Sequence, residues 1–332
     1  LRVLITLVAI FAMATGTAHS ATGWGATKID GRDYVSVGGI QRFYNFDPVS
    51  RSGNSVILKN AKVQMTLKVG GNECLMNAVK FIFSHPIAAI GDQVYVSRVD
   101  LSKLIDPVLR PTFIQNASDF RTVVLDPGHG GKDSGATNSF GTEAYFNVKV
   151  ANRVKKQLIA QGYKVVMTRD SNLYLSLQQR VDIANSVKEN AIYVSIHFNS
   201  GNSNARGIET FTLSPPGIPN YEHDFKEADL TTRAGNEHDS ANIALATSVH
   251  GSILRRLGQN TLDRGIKRAR FSVLSGVRHP AILLEGGFMS HPSESRLIAN
   301  ESYQAAIAGG IVDAIGKYRF AVGRTPIAST QN

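Results

Sequence analysis

Four side chains of this sequence stand where they could hold a metal or carry a proton. His129 follows Val123-Val124-Leu125-Asp126-Pro127-Gly128. His197 follows Ile192-Tyr193-Val194-Ser195-Ile196, and Glu285 follows Ala281-Ile282-Leu283-Leu284. Glu143 opens a segment with an apolar stripe at Phe146, Val150, Val154 and Leu158. Two imidazoles and a carboxylate are a minimal set for catalytic zinc, which keeps three protein ligands and an open position for water. The single Cys74 excludes a thiolate cluster and an internal disulfide, so any metal must be held by His and carboxylates. Glu285 is either a fourth ligand or, the better use, a general base that takes a proton from water and returns it to a leaving amine. Each residue also has a plainer use. A His after a strand is often a cap, Glu143 suits the first turn of a helix, and Glu285 could pair with an arginine. The joint occurrence at equivalent positions favours the metal. The helical zinc motif with two His at i and i+4 is absent. A phosphate loop at Gly128–Lys132 fails, because Asp126 is not Gly and Asp133 follows Lys132.

The elements that must position these groups can be read from periodicity. Each apolar run is a buried strand. Pro127 and the glycines break the first into a tight loop, since Pro cannot donate to a ladder and Gly tolerates positive φ. Expected elements are a strand over 122–126, helix 143–160 stopped by Gly162, strand 163–169, helix 176–188, and strands 192–196 and 207–213. Helix 239–257, strands 270–274 and 281–284, and helix 301–317 complete the series. Strands alternating with helices predict an α/β fold, a mostly parallel central sheet flanked by helices. Ligands then sit beyond the carboxyl ends of the strands. Residues 214–238 interrupt the pattern with Pro215, Pro216 and Pro219 and several acids. They read as a plain loop; the alternative is a plug that lays an acidic residue on the open metal position.

These residues carry a resemblance. Leu125-Asp126-Pro127-Gly128-His129-Gly130-Gly131-Lys132-Asp133-Ser134-Gly135-Ala136 resembles the opening motif of zinc-dependent N-acetylmuramoyl-L-alanine amidases of the Amidase_3 type. Glu143, Arg180–Asn185, Ser195-Ile196-His197-Phe198-Asn199, Asp263–Lys267 and Leu284–Ser290 are similar to later motifs in order. The resemblance covers about 121–318. It implies His129, Glu143 and His197 as zinc ligands and Glu285 as the catalytic carboxylate. It implies cleavage of the amide between the lactyl group of muramic acid and the first L-alanine of the peptidoglycan stem peptide. Asn199 and Arg180 are expected to contact substrate. Thr142, Phe198 and His291 depart from the family pattern, and His291 is a rival proton carrier near Glu285. Two rival readings are a non-catalytic wall-binding or activator protein on the same fold, and another zinc hydrolase such as a peptidase or deacetylase.

The remaining chain sets context. Arg2, the apolar run from Val3 to Ala14, and Ala18-His19-Ser20 before Ala21 read as a signal peptide over 1–20, with an uncleaved anchor as the alternative. Export to the periplasm or cell envelope follows, with no stable membrane insertion after cleavage. The net charge of +10 favours polyanionic partners. With export, nucleic acid is excluded and an acidic wall polymer, peptidoglycan, is favoured; a protein activator is a candidate partner, and a monomer is expected. Arg264-Gly265-Ile266-Lys267-Arg268-Ala269-Arg270 reads as a local basic patch or a solvated face. Residues 24–117 read as a small mixed α+β module with a helix around Gln41–Asn45. Asp30-Gly31-Arg32-Asp33-Tyr34-Val35 and Gly91-Asp92-Gln93-Val94-Tyr95-Val96-Ser97 resemble a copper amine oxidase N-terminal-like domain, which implies wall targeting or a stalk. A linker is expected over 107–119, then a catalytic domain over 121–320 and a tail over 321–332.

Overall fold

The computed structural model describes residues 23–323. The expected signal peptide, and all of the expected tail beyond Gly323, lie outside the described residues.

The apolar runs form the predicted strands. Thr122–Pro127 is buried at every position and lies between Lys164–Met167 and Ala191–Asn199, both parallel to it. Ala281–Phe288 extends this parallel set, and its Glu285 is the register partner of His197. Ile208–Thr212 then runs antiparallel to Ala281–Phe288, and Asp263–Arg268 runs parallel to Ile208–Thr212. Alternate residues serve opposite faces, as the pleat requires. Val123 and Leu125 pack under the helices Glu143–Ala160, Asp239–Leu257 and Glu301–Val322. Val124 joins Val181, Ala184, Val273 and Leu274 on the other side. Both faces are covered, so the strands carry near-continuous apolar sequence.

Helix ends follow their local signals. Thr142 caps the Glu143 helix by accepting from the Tyr145 amide, and Ser176 and Gln179 form a capping box on Leu177–Ser186. Gly162 lies just past the first helix at φ +79°, the left-handed conformation that ends helices. His291, the rival proton carrier, instead caps Pro292–Ala299: its Nδ1 accepts from the amides of Ser293 and Glu294.

Three expectations are corrected. The segment 270–274 is not a strand; the strand is Asp263–Arg268, and Ser272–Gly276 is a short helix. Consecutive Val273 and Leu274 both bury in one cluster, which a helix allows and an alternating strand does not. The basic stretch is not a solvated face: Lys267 and Arg268 are buried, paired with Glu209 and Asp239 respectively. The N-terminal helix is Val37–Phe43, earlier than expected, because Ser36 caps it on the Gly39 amide and the glycines lie inside it. At Gly39 a Cβ would sit 2.4 Å from the carbonyl oxygen of Trp24, so only glycine admits that approach.

The N-terminal residues do not hang as a separate bead. Strands Ala26–Ile29, Arg32–Ser36, Gln93–Ser97 and Ala88–Ile90 make a small antiparallel sheet. The meander Ser50–Ser52, Ser55–Lys59, Gln64–Lys68, Glu73–Met76 and Val79–Ile82 continues the catalytic sheet, which reaches eleven strands. The seam is the parallel pairing of Phe81 with Ile266 and a hydrogen bond from the Lys80 amide to Asp263 at 2.8 Å. The expected linker contains the helical turns Asp106–Leu109 and Pro111–Phe113, and Asn116 donates to the carbonyl of Glu237 at 2.8 Å. Among the described residues, no helix is long and apolar enough to cross a membrane.

Candidate metal centre

The loop after Thr122–Pro127 is built to let an imidazole in. A Cβ at Gly128 would lie 2.0 Å from the His197 ring, so only glycine fits there. His129 itself has φ +61°, a conformation L residues rarely adopt. Such a backbone persists only where its surroundings over-determine it, and here two arginines do. Arg169 donates to the carbonyls of Pro127 (2.8 Å), Gly128 and Ala144 (3.0 Å). Arg180 donates to the carbonyls of Pro127 at 2.8 Å and His129 at 2.7 Å.

Beneath the loop lies Asp126, 1% exposed. Its carboxylate accepts from Thr168 Oγ1 at 2.6 Å, Arg180 Nη1 at 2.7 Å, Tyr193 OH at 2.6 Å and Ser195 Oγ at 2.8 Å. Burial alone would raise its pKa. The Arg180 charge and these donors outweigh burial and hold the carboxyl below its usual range.

At the strand ends three donors converge. His129 Nε2 is 3.2 Å, and His197 Nδ1 2.9 Å, from the same Glu143 oxygen. One ligand atom from each of the three lies within 4.8 Å of the others. Zinc bonds of about 2.0–2.1 Å in a tetrahedron place donors roughly 3.3 Å apart, so the set fits one ion. His129 Nδ1 meets Asp133 at 2.9 Å, which turns Nε2 toward the centre. Glu143 is buried and receives the amides of Ala136 (3.1 Å) and Phe198 (3.3 Å) and the Asn147 side chain (3.4 Å). Burial pushes its pKa up, but the hydrogen bonds and charges of the two imidazoles hold it far below the ordinary range. The His129 pKa is raised, first by its hydrogen bond to Glu143, against the opposing pull of burial. Binding of a cation by such groups is linked to proton release.

Glu285 stands beside His197 on the next strand and does not join the three. Its Oε2 is buried and has no hydrogen-bond partner among the described residues. Burial, and after it the charges of Glu143 and Glu209, push its pKa well above the usual carboxylate value. An unpaired buried oxygen costs free energy and calls for an explanation; a proton acceptor facing a reacting centre supplies one.

Two expectations need comment. The side chain of Arg180 is 3% exposed, and its donors go to Asp126 and to the carbonyls of the loop. Asn199 lines an open groove of about 420 Å³, with its amide nitrogen 3.4 Å from Glu209. Among the described residues, no acid of 214–238 joins the metal-competent group. That segment is instead pinned away by Arg270, which holds Asp229 at 2.8 Å and the carbonyl of Pro215 at 2.9 Å. Asp133, Asn147 and Arg169 were not singled out from the sequence. Asn147 lies four residues after Glu143 on one helix, a spacing that could have flagged it; Asp133 lies in the loop and carries no helical signal. Arg169 belongs to a different strand end and carries no such signal.

Comparison with known proteins agrees with this geometry. The uncharacterised protein YqiI of Bacillus subtilis is 32% identical over 198 residues, covering 60% of this chain and 84% of that protein. The N-acetylmuramoyl-L-alanine amidase AmiC of Neisseria meningitidis serogroup B is 31% identical over 217 residues, 59% of this chain. This chain spans 52% of AmiC, about half its length. The catalytic domain of CwlV, an N-acetylmuramoyl-L-alanine amidase from Bacillus (Paenibacillus) polymyxa var. colistinus, superposes with a TM-score of 0.50 at 32% identity, covering 61% of this chain and 99% of that domain. Residues 123–317, from the strand that carries the glycine loop to the last helix, match the family described as N-acetylmuramoyl-L-alanine amidase, and the chain belongs to that family, Amidase_3.

Proposed function

We propose that this protein is an exported zinc hydrolase that cuts the amide between N-acetylmuramic acid and L-alanine in peptidoglycan, for wall turnover or cell separation. The observation that carries the reading is the unpaired Glu285 carboxylate beside the His129, Glu143 and His197 donors. Those three would hold zinc, which when bound polarises an amide carbonyl and makes a water acidic enough to act near neutral pH.

The chain's own residues do the rest. Asp133 fixes the ring orientation of His129, and the amides of Ala136 and Phe198 fix the Glu143 carboxylate. Glu285 Oε2 accepts the proton of the attacking water and returns it to the nitrogen of the departing alanine. Burial and the neighbouring carboxylates raise its pKa, the direction that favours its later role as a proton donor. Asn199, at the mouth of the groove, contacts the substrate near the cleaved bond. The N-terminal residues 24–117 aid wall targeting, in keeping with their resemblance to copper amine oxidase N-terminal-like domains. The enzyme acts as a monomer in the periplasm or cell envelope, with a protein activator as its candidate partner.

Digestion of purified sacculi, with and without a chelator, tests the reading. Mass analysis is expected to find free stem peptides beginning with alanine and an intact glycan, and the chelator should abolish their release. Release of acetate would identify a deacetylase, and cleavage within the stem a peptidase. Full lytic activity in Glu285→Gln would remove the catalytic role assigned to that carboxylate.

A further inference from the structure

Two strands from the metal centre, the groove wall carries more positive charge than its one buried acid requires. Glu209 is the register partner of Glu285 on the antiparallel neighbour strand. Its Oε1 accepts from Lys267 Nζ at 2.9 Å and from Arg264 Nε. The side chains of Glu209 and Lys267 are 4% and 3% exposed, so this lysine alone neutralises the acid out of water; Arg264, at 31%, is surplus. Its guanidinium lies over the Phe288 ring, 4.9 Å from the centroid, which fixes its plane. Among the described residues, Nε donates to Glu209 and neither Nη nitrogen has a hydrogen-bond partner; Arg264 lines the groove with Asn199, Tyr221 and Phe288. Arg270, the other arginine on that wall, is committed to Asp229 and to main-chain carbonyls. Glu222 is exposed at the rim, beside the Tyr221 hydroxyl.

A stacked guanidinium with one edge tied down and two nitrogens open is prepared for a carboxylate, whose planar oxygens match that fork. We propose that Arg264 anchors a carboxylate of the stem peptide and so sets which peptides this enzyme takes; the proposal rests on the amidase reading for the identity of the peptide. Reach agrees. Glu285 pairs with Glu209, and Glu209 with Gly265 beside Arg264. Two strand spacings are about 10 Å, or roughly three residues of extended chain. The carboxyl therefore belongs to the second or third residue beyond the cleaved amide. Phe211, Phe271 and Phe288 supply apolar surface in the same groove, beside the polar side chains of Asn199 and Asn220.

Calorimetric titration of the full chain with two peptides tests this without turnover. One is L-alanyl-γ-D-glutamyl-L-lysine with a free glutamyl α-carboxyl; the other carries a carboxamide there. The free acid should bind roughly tenfold tighter, as a charge-assisted hydrogen-bond pair implies. Arg264→Gln should bring the two affinities together, and Arg264→Lys, which keeps the charge without the fork, should leave an intermediate ratio. Equal binding of both peptides by the unaltered protein would overturn the proposal. So would an undiminished preference in an Arg264→Gln protein with an unchanged melting temperature. Discrimination without any cutting of sacculi would sink the amidase reading and spare the anchor; cutting without discrimination would do the reverse.

Discussion

Asp126 and Glu285 are both buried carboxylates of one sheet, separated by the single strand Ala191–Asn199, and their surroundings are opposites. Asp126 takes four donors on its two oxygens and is held ionised. Glu285 leaves an oxygen with none and is pushed toward its protonated form. The contrast separates scaffolding from chemistry. A carboxylate that is fully paired fixes geometry, here the strained His129 loop; one left unpaired beside the candidate metal donors has, on the proposed reading, lone pairs for a proton in transit. Glu209 resembles Asp126, since two cations share it.

Substitution can break the contrast, and the largest effect is expected at the unpaired carboxylate. Glu285→Gln should lower the rate of peptide release by about 10²–10⁴-fold, the usual contribution of a positioned acid–base group. Its melting temperature should hold or rise, because Gln keeps the shape of the side chain and has no charged form to bury. A variant that loses stability and activity in parallel would make Glu285 a structural residue like Asp126.

Asp126→Ala should do the converse. It strands the Arg180 guanidinium in the interior, and breaking such a pair costs about 3–5 kcal/mol of stability. Denaturant unfolding measures this, and a loss under about 1 kcal/mol would show that Arg180 relaxes into water.

Asp133→Ala sharpens the picture of the metal donors themselves. It removes the partner of His129 Nδ1 and should weaken zinc binding about 10–100-fold, read by competition with a chromophoric chelator. The smallest effect concerns acid. The depressed Asp126 pKa contributes stability that is fully present above the unfolded value of about 3.9 and is lost as pH falls through the lower folded value. Unfolding free energy should therefore decline below about pH 4 in the unaltered protein. In Asp126→Asn that part of the decline should vanish, and an unaltered acid profile would assign it to other groups.

Much of the fold could be read from local pattern. The helices Glu143–Ala160 and Asp239–Leu257 match their expected bounds because periodicity, caps and Gly162 act within a few residues. The error at 270–274 arose where charge hid a strand. Arg264, Lys267 and Arg268 look solvated in sequence, yet Lys267 meets Glu209 58 residues away and Arg268 meets Asp239 29 residues away. The burial of Arg180 is hidden in the same manner, for its partner Asp126 is 54 residues distant.

What the sequence by itself determined is the set of chemical types and their placement at element ends. His129 follows a strand that Pro127 and Gly128 terminate, Glu143 opens a helix, and His197 lies near the end of an apolar run. What only the tertiary structure decided is pairing: which carboxylate is satisfied, which cation is surplus, and that the N-terminal meander extends the catalytic sheet at Phe81 and Ile266. The physical reason is range. Backbone conformation is set by neighbours a few residues apart, whereas the cost of a buried charge depends on which distant strand brings its partner.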